Sequence, residues 1–524
     1  MPAITGLTES LTDLSPTEWR LILAKLRRAR LLALEDPHNS GQLDTHPLVR
    51  QYFGEQLRGE RREAWKECNR RLFHYYRTLA PELPNSFREM EPLFSAVIYG
   101  CNASLLRDAL HEVYIPRIQR GNAFFAANVL GARGTLPSTL VHFFEHGRWD
   151  SPVQTGVEGQ GLTAEDQLFV LAQAGEYLRA TRGLGAPEAQ ISYQRVESLC
   201  HSLSRPLPVS VLIGQWLYAL LTDKLSAAMQ VAKRVYSLAQ EHKDPALMMG
   251  GYRALAGTLY CLGDFEAARQ YAMRGIEIWR SGDVQSQLEQ GTAPPVACLY
   301  LRAMSEWHLG ETASSKVTMA EAISLAKELN DVHGLAASLG FACFLSEFER
   351  SPAEVDRLAS EMIELSTRQN FALPLASGLL HRGWARSALG NPAEGIPWIL
   401  DGIDDWRATG SMLTVPYLLA LKAEALHLAD RASEALEAIR EAEALAEKSE
   451  ERWWCAELQR LRGVFLGAIG AEESKIEGSF CAAIRIAREQ KSVSLEKRAE
   501  ATYAEYLRQK ASGSEGRGFR LPLC

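Results

Sequence analysis

The residues best spaced for chemistry are His142, Glu145 and His146, in the stretch "HFFEH". On a helix the two histidines would share a face as zinc ligands with Glu145 as a base, the H-x-x-E-H arrangement of a zinc hydrolase. No third ligand is recognisable, and such short patterns recur by chance, so a polar helix end is the competing reading. Elsewhere the chemistry thins out. Gly-x-Ser-x-Gly is absent, and "SGSEG" at 512–516 lies in a Gly- and Ser-rich tail without the strand and helix of a nucleophile elbow. Asp404 and Asp405 are adjacent on a predicted helix and point to different sides, so they make no paired acid and base. The dipeptide Gly-Lys occurs nowhere, which removes a phosphate loop of the G-x-x-x-x-G-K-[S/T] kind. The chain reads as a non-enzyme, with no resident metal and no cofactor.

What must position such residues follows from size and pattern. At 524 residues the chain exceeds one ordinary core, so it is several domains or an array of repeats. A hydrophobic share of 46%, a charged share of 23% and a net charge of -7 describe a folded chain that lacks the basic excess of a nucleic-acid binder. The nine cysteines form no C-x-x-C pair and are odd in number, which argues against a disulfide framework or a structural zinc and fits a reducing, cytoplasmic setting. The N-terminal stretch has no basic start followed by an apolar core, and no run of 18 apolar residues occurs, so neither an export signal nor a membrane span is expected.

The segment "YRALAGTLYCLGDFEAARQYAMRGIEIW" places small residues, Ala256, Gly263, Ala268, Ala272 and Gly275, where two antiparallel helices must touch. That is a helix hairpin of tetratricopeptide type. With Gly263 as a turn marker, equivalent positions fall at 183, 223, 263, 310, 350, 390, 430 and 470, every interval being 40 except one of 47. The stretch "SGDVQSQLEQGTAPPVA" supplies the extra residues as a longer loop. Positions 223, 350 and 430 are Asp, Arg and Asp, so those repeats rest on helix periodicity more than on the punctuation residue. The expected fold is all-α: a right-handed, tetratricopeptide-like α-solenoid of about eight hairpins over 161–510, with a helical lead-in at 61–160 and a disordered tail at 511–524. Before these, residues 1–60 read as the back half of a winged helix. Ser15 is an N-cap with Pro16 in the first helical position, "EDPHNSGQ" supplies turn residues, and "LDTHPLVRQYFGEQL" a second helix.

Several long stretches resemble the C-terminal sensor regions of bacterial STAND ATPases, among them "RARLLALEDPHNSGQLDTHPLVRQYFGEQL", "APELPNSFREMEPLFSAVIYGC", "EVYIPRIQRGN", "HRGWARSALGNPAEGIPWILDGIDDWRATG" and "ERWWCAELQRLRGVFL". The resemblance spans nearly the whole chain and implies a winged helix plus tetratricopeptide sensor, like that of the maltose-regulator type, without the nucleotide-binding core. It also implies a role for His46. In such switches a histidine at the matching place reaches bound ADP, and an imidazole there can donate to a phosphate oxygen. Without a Walker lysine, His46 is expected to be a relic of nucleotide sensing, the alternative being a separately encoded ATPase docked on this segment.

The remaining candidates are surfaces. Arg20, Lys25, Arg27, Arg28 and Arg30 cluster where a winged-helix DNA reader would carry its recognition helix, but the acidic whole chain favours a solvated or docking face over nucleic acid. The solenoid groove should be lined by the first helix of each hairpin, which puts Arg253, Tyr260, Tyr300, Trp307, Phe344, Phe348, Trp384, Tyr417, His427 and Arg460 on or near it. Aromatics beside arginines suit a peptide or a sugar-like effector, whereas an aromatic at helical spacing is usually core. The function expected is a non-catalytic scaffold or sensor in bacterial signalling or defence, binding a protein or peptide partner in its groove. The alternatives are a small-molecule, sugar-like effector sensor and the zinc hydrolase at His142, Glu145 and His146.

Overall fold

The computed structural model describes residues 2–33, 43–121, 124–153, 161–183, 185–222, 224–282 and 293–512. Among these the regular elements are helices, apart from one isolated bridge between Phe144 and Pro152. The chain divides into two compact units: Met1–Gly121 with Val141–Gly147 and Pro152–Thr163, and Asn122–Leu140 with Arg148–Ser151 and Ala164–Cys524.

In the first unit α1 (Pro16–Arg28) starts where the cap residues place it. The Ser15 hydroxyl accepts from the Glu18 amide at 3.3 Å while the Glu18 carboxylate accepts from the Ser15 amide at 2.8 Å. The expected turn at 35–42 lies outside the described residues; beside it the Ala33 amide donates to the Asp44 carbonyl at 2.8 Å. Next come α2 (Pro47–Glu60), α3 (Arg62–Leu79), α4 (Phe87–Asn102) and α5 (Leu106–Asp108), which runs into a π-helix, Ala109–Gln119. Neither α1, with its basic cluster, nor α2 buries a residue; the unit's core is Phe73, Met90, Leu93, Leu110 and Tyr114. Arg117 fixes the C-terminal end of α3 from the π-helix. Its guanidinium donates to the carbonyls of Arg77, Ala80, Pro81 and Glu82, groups that a helix end and the following loop leave without helical partners.

In the second unit α6 (Phe125–Asn128) and α7 (Leu136–Leu140) precede eight hairpins. The first four are α8 (Ala164–Arg182) with α9 (Pro187–Ser202), α10 (Val209–Thr222) with α11 (Leu225–His242), α12 (Pro245–Cys261) with α13 (Phe265–Arg280), and α14 (Pro294–His308) with α15 (Thr312–Glu328). The last four are α16 (Val332–Phe348) with α17 (Pro352–Gln369), α18 (Ala372–Ala388) with α19 (Pro392–Ala408), α20 (Val415–Leu428) with α21 (Ala432–Ser449), and α22 (Cys455–Ala468) with α23 (Glu473–Glu489). A final helix, α24 (Val493–Ala511), packs on the last pair; the tail expected to be disordered falls mostly at 513–524, outside the described residues. This is the tetratricopeptide-like solenoid that the repeat period predicts.

The hairpin turns have one backbone solution. Gly183, Gly263, Gly310, Gly390 and Gly470 take positive φ, and so do Arg350 (57°) and Asp430 (59°) at the markers that are not glycine. Position 223 lies outside the described residues. The turn therefore holds even where an L side chain must accept the left-handed conformation. Between helices, small residues permit contact: a Cβ on Gly383 of α18 would sit 2.7 Å from the Gly395 carbonyl oxygen of α19. Among the described residues no helix is long and apolar enough to cross a membrane.

The solenoid also winds onto itself. A helix leaves its last carbonyls without intrahelical donors. Here the Leu221 carbonyl of α10 accepts from the Met412 amide at 2.7 Å, and the Cys261 carbonyl of α12 accepts from the Arg452 amide at 2.8 Å. The Trp307 carbonyl of α14 accepts from the Ser494 hydroxyl, 187 residues away in the chain, and the Phe348 carbonyl of α16 from Arg498. At the start of this seam a Cβ on Gly185 would lie 2.7 Å from the Gly410 carbonyl oxygen. Gly185→Ala is expected to cost about 1–3 kcal/mol by overpacking, whereas Gly478→Ala, which meets nothing within 4 Å, costs none. Thermal melts of the two variants check this, and equal midpoints would dissolve the seam.

Candidate functional site

The first helices of six successive hairpins, α8, α10, α12, α14, α16 and α18, contribute to one cavity of about 210 Å3. Trp216, Leu217 and Leu220 come from α10, Tyr300 and Leu301 from α14, and Phe341 and Phe344 from α16. Trp406, Leu413, Thr414 and Trp453 of the later repeats complete the wall. The period of 40 explains the convergence, because each repeat delivers its first helix to the same inner position. Tyr300 and Phe341 stack at 4.2 Å, and the Arg253 guanidinium lies 5.8 Å from the centre of the Trp216 ring. Arg179 faces the same space with its charge answered by Glu176 at 2.5 Å.

Of the ten residues expected on the groove, Arg253, Tyr260, Tyr300 and Phe344 line this cavity. Trp307, Phe348, Trp384, Tyr417 and Arg460 are buried in packing instead, and His427 is half-buried against Phe465. The winding of the solenoid is the cause. Trp454, from the loop before α22, stacks on Phe348 at 4.5 Å, and Trp453 packs at 5.2 Å from Tyr417 and 5.6 Å from Tyr260. An aromatic cluster thus fills the groove beyond the cavity. The doubled tryptophan of "ERWWC" supplies this cluster from the loop before α22, and the loops between hairpins turn at a second series of residues with positive φ, Asn330, Asn370, Gly410, Glu450 and Lys491.

Beside the aromatics lies a buried ionic network whose carboxylates the sequence did not single out. Glu457 takes Arg460 in a fork (2.8 and 2.9 Å), Arg350 at 3.2 Å and Arg498 at 3.1 Å. Burial alone would raise the Glu457 carboxyl, but the charges of Arg460, Arg498 and Arg350 outweigh it and hold it far below its ordinary value. Arg350 also reaches Glu424, which accepts from the Trp384 indole at 2.9 Å; Glu347 joins His381 (2.7 Å) and the Tyr417 hydroxyl. Glu451 is a different case: its carboxylate accepts from the Trp453 indole and, at 3.1 Å, from the Thr414 amide. Burial outweighs both bonds and pushes its carboxyl up to about 7. His308, between Tyr260 and Ser492, is pushed well below its ordinary value by burial and is neutral.

The family described as anaphase-promoting complex subunit 5 matches residues 271–349. An uncharacterised protein of Rhizobium meliloti (strain 1021) is 23% identical over 366 residues, which cover 67% of this chain and 34% of that protein. The chain thus spans about a third of the length of that curated relative. Among solved structures, a Rap protein complexed with competence and sporulation factor is 13% identical with a TM-score of 0.43, over 67% of this chain and 99% of that one. The apo quorum sensor NprR of B. thuringiensis is 11% identical, TM-score 0.38, over 66% and 98%. A STAND protein with a tetratricopeptide repeat sensor from Pyrococcus horikoshii is 9% identical, TM-score 0.37, over 94% and 73%.

One candidate takes another place than its spacing suggested. The "HFFEH" segment is not one helix: Val141–Phe143 and Glu145–Gly147 are separate 3-10 turns either side of Phe144, with His146 inside the second in the left-handed region at φ 52°. His142 and His146 therefore do not share a helix face, and the zinc-hydrolase reading loses its geometry. Among the described residues no group of three or more His, Cys, Asp or Glu is placed to hold a metal ion. His46 is exposed and caps α2, its Nδ1 accepting from the Leu48 amide at 3.3 Å.

Proposed function

We propose that this chain is a non-catalytic scaffold or sensor module that takes a ligand into the interior of its solenoid and offers its outer helix faces to a protein or peptide partner. The cavity carries the reading: six repeats converge on it, its wall is mostly apolar and aromatic, and a few polar groups break that wall, the usual character of a small-molecule site. Five of the expected groove residues are buried in the aromatic and ionic packing, so a partner segment is better served by the convex faces. The resemblance to STAND sensor regions supports a place in bacterial signalling or defence, in the cytoplasm, with residues 1–60 as the winged-helix remnant and a separately encoded NTPase or effector as a candidate partner. His46, as the cap of α2, fits a structural relic.

Native mass spectrometry of the protein purified from a bacterial lysate tests the reading. The wild type should retain a low-mass species that denaturation releases, and Ala337→Phe, which fills the cavity from its wall, should lack it. Bare polypeptide in both preparations would count against an interior ligand.

A further inference from the structure

We propose that the cavity takes a small, neutral aromatic molecule of about two fused rings, held by ring faces and carrying at most one or two polar atoms. This rests on the sensor reading above and names the class of its ligand. Every tryptophan and tyrosine of the wall already has a hydrogen-bond partner in the protein. The Trp216 indole donates to the Thr258 hydroxyl at 2.9 Å, the Trp406 indole to the Leu413 carbonyl at 3.2 Å and the Trp453 indole to the Glu451 carboxylate at 2.5 Å. The Tyr260 hydroxyl is shared with His308 at 3.3 Å, and the Tyr300 phenol with Arg253. The two arginines of the wall are engaged as well: Arg179 with Glu176, and Arg253 with Tyr300 and with the Trp216 ring, 5.8 Å from its centre. What these side chains offer the cavity is therefore ring face and hydrocarbon.

Such a wall selects against charge and against many hydroxyls. A guest gives up its water on entry, and a polar group that finds no partner inside costs more than its burial returns. A sugar brings a hydroxyl on nearly every carbon, against Ser377 and Thr414 as the aliphatic hydroxyls of the wall. An anion would have to draw Arg253 from Trp216 and Tyr300, or Arg179 from Glu176. A flat neutral ring gives up little hydration and meets Tyr300 and Phe341, stacked at 4.2 Å, with its face or edge. Leu217, Leu220, Leu301 and Met362 add hydrocarbon around it. The volume of about 210 Å3 is below the ~300–1,000 Å3 of drug-sized sites, which sets the size at about two fused rings.

Calorimetric titration of the full chain with indole, indole-3-acetate and glucose tests this. Indole is expected to bind about tenfold or more tighter than the acid, with a negative heat-capacity change, and glucose to show no heat. Ala337→Phe, which fills the cavity from its wall, should lose indole. If that variant fails to fold, Gly340→Ala takes its place. The added methyl would lie 3.5 Å from Met362 and 3.9 Å from Ser377, both on the wall, so the empty protein accommodates it while indole loses space and binds about tenfold more weakly. An acid that binds as tightly as indole, heat from glucose, or indole affinity unchanged in the variants overturns the neutral aromatic class. No heat from indole overturns it too, and the low-mass species sought by mass spectrometry then separates the two readings. A charged or polyhydroxylated species leaves the sensor standing with another class of ligand, and bare polypeptide removes the interior site itself.

Discussion

Glu457→Gln is expected to lower the unfolding free energy by about 3–5 kcal/mol, the usual cost of removing one partner from a buried ion pair. The carboxylate is 1% exposed and answers three guanidiniums, of which Arg460 is wholly buried and Arg350 and Arg498 nearly so. An amide of the same shape keeps the volume but loses the charge, so the loss measures electrostatics rather than a cavity. Denaturant melts of the variant beside Lys491→Ala, which removes the exposed pair with Glu266, separate the two kinds of ion pair. The surface variant should melt with the wild type. If Glu457→Gln does so too, the network contributes no net stability.

Stability should also fall as pH rises from 5 to 8, by roughly 2–3 kcal/mol from Glu451 alone. The folded carboxyl titrates near about 7 and the unfolded one near 4.5. Below 4.5 both states hold the proton; between 4.5 and 7 the folded state holds it and the unfolded state releases it, so unfolding gains as pH rises. The groups around Glu451 do not oppose this: Tyr260 and Cys261 are pushed up by burial and stay neutral through the window. Glu451→Gln removes the titration, at the cost of an amide N–H facing the Trp453 indole or the Thr414 amide. The difference between wild type and variant should therefore change steadily in the variant's favour from pH 5 to pH 8, and parallel curves would place the Glu451 carboxyl at an ordinary value.

The fold was legible where it repeats. The 40-residue spacing located hairpin turns to the residue, including Arg350 and Asp430, because helix register on either side leaves only a left-handed residue to close each turn. Ser15 marked the start of α1 for an equally local reason. The site was legible in part. Counting back from a turn gives the inward face of a helix, and so found Arg253, Tyr260, Tyr300 and Phe344. It does not say what lies opposite that face. Trp307 presents the same pattern as the cavity residues and is core because Trp454 and Arg498, far later in the chain, return to cover it, a long-range event without a local signature. The "HFFEH" spacing misled because it presupposes a helix that the 3-10 turns around Phe144 replace.

A linear stack of repeats, each touching only its neighbours, can fray from either end, its stability a sum of nearest-neighbour steps. The carbonyls of Leu221, Cys261, Trp307 and Phe348 break that rule, since each receives its donor from the next winding of the chain. Losing α24 therefore also strips α14 and α16 of partners, and the array should melt as one cooperative block with no ladder of partly unwound states. The same bonds give the solenoid an unusually non-local contact map for a helical protein, so it should fold more slowly than an open stack of equal length, waiting on the second winding before the first is complete.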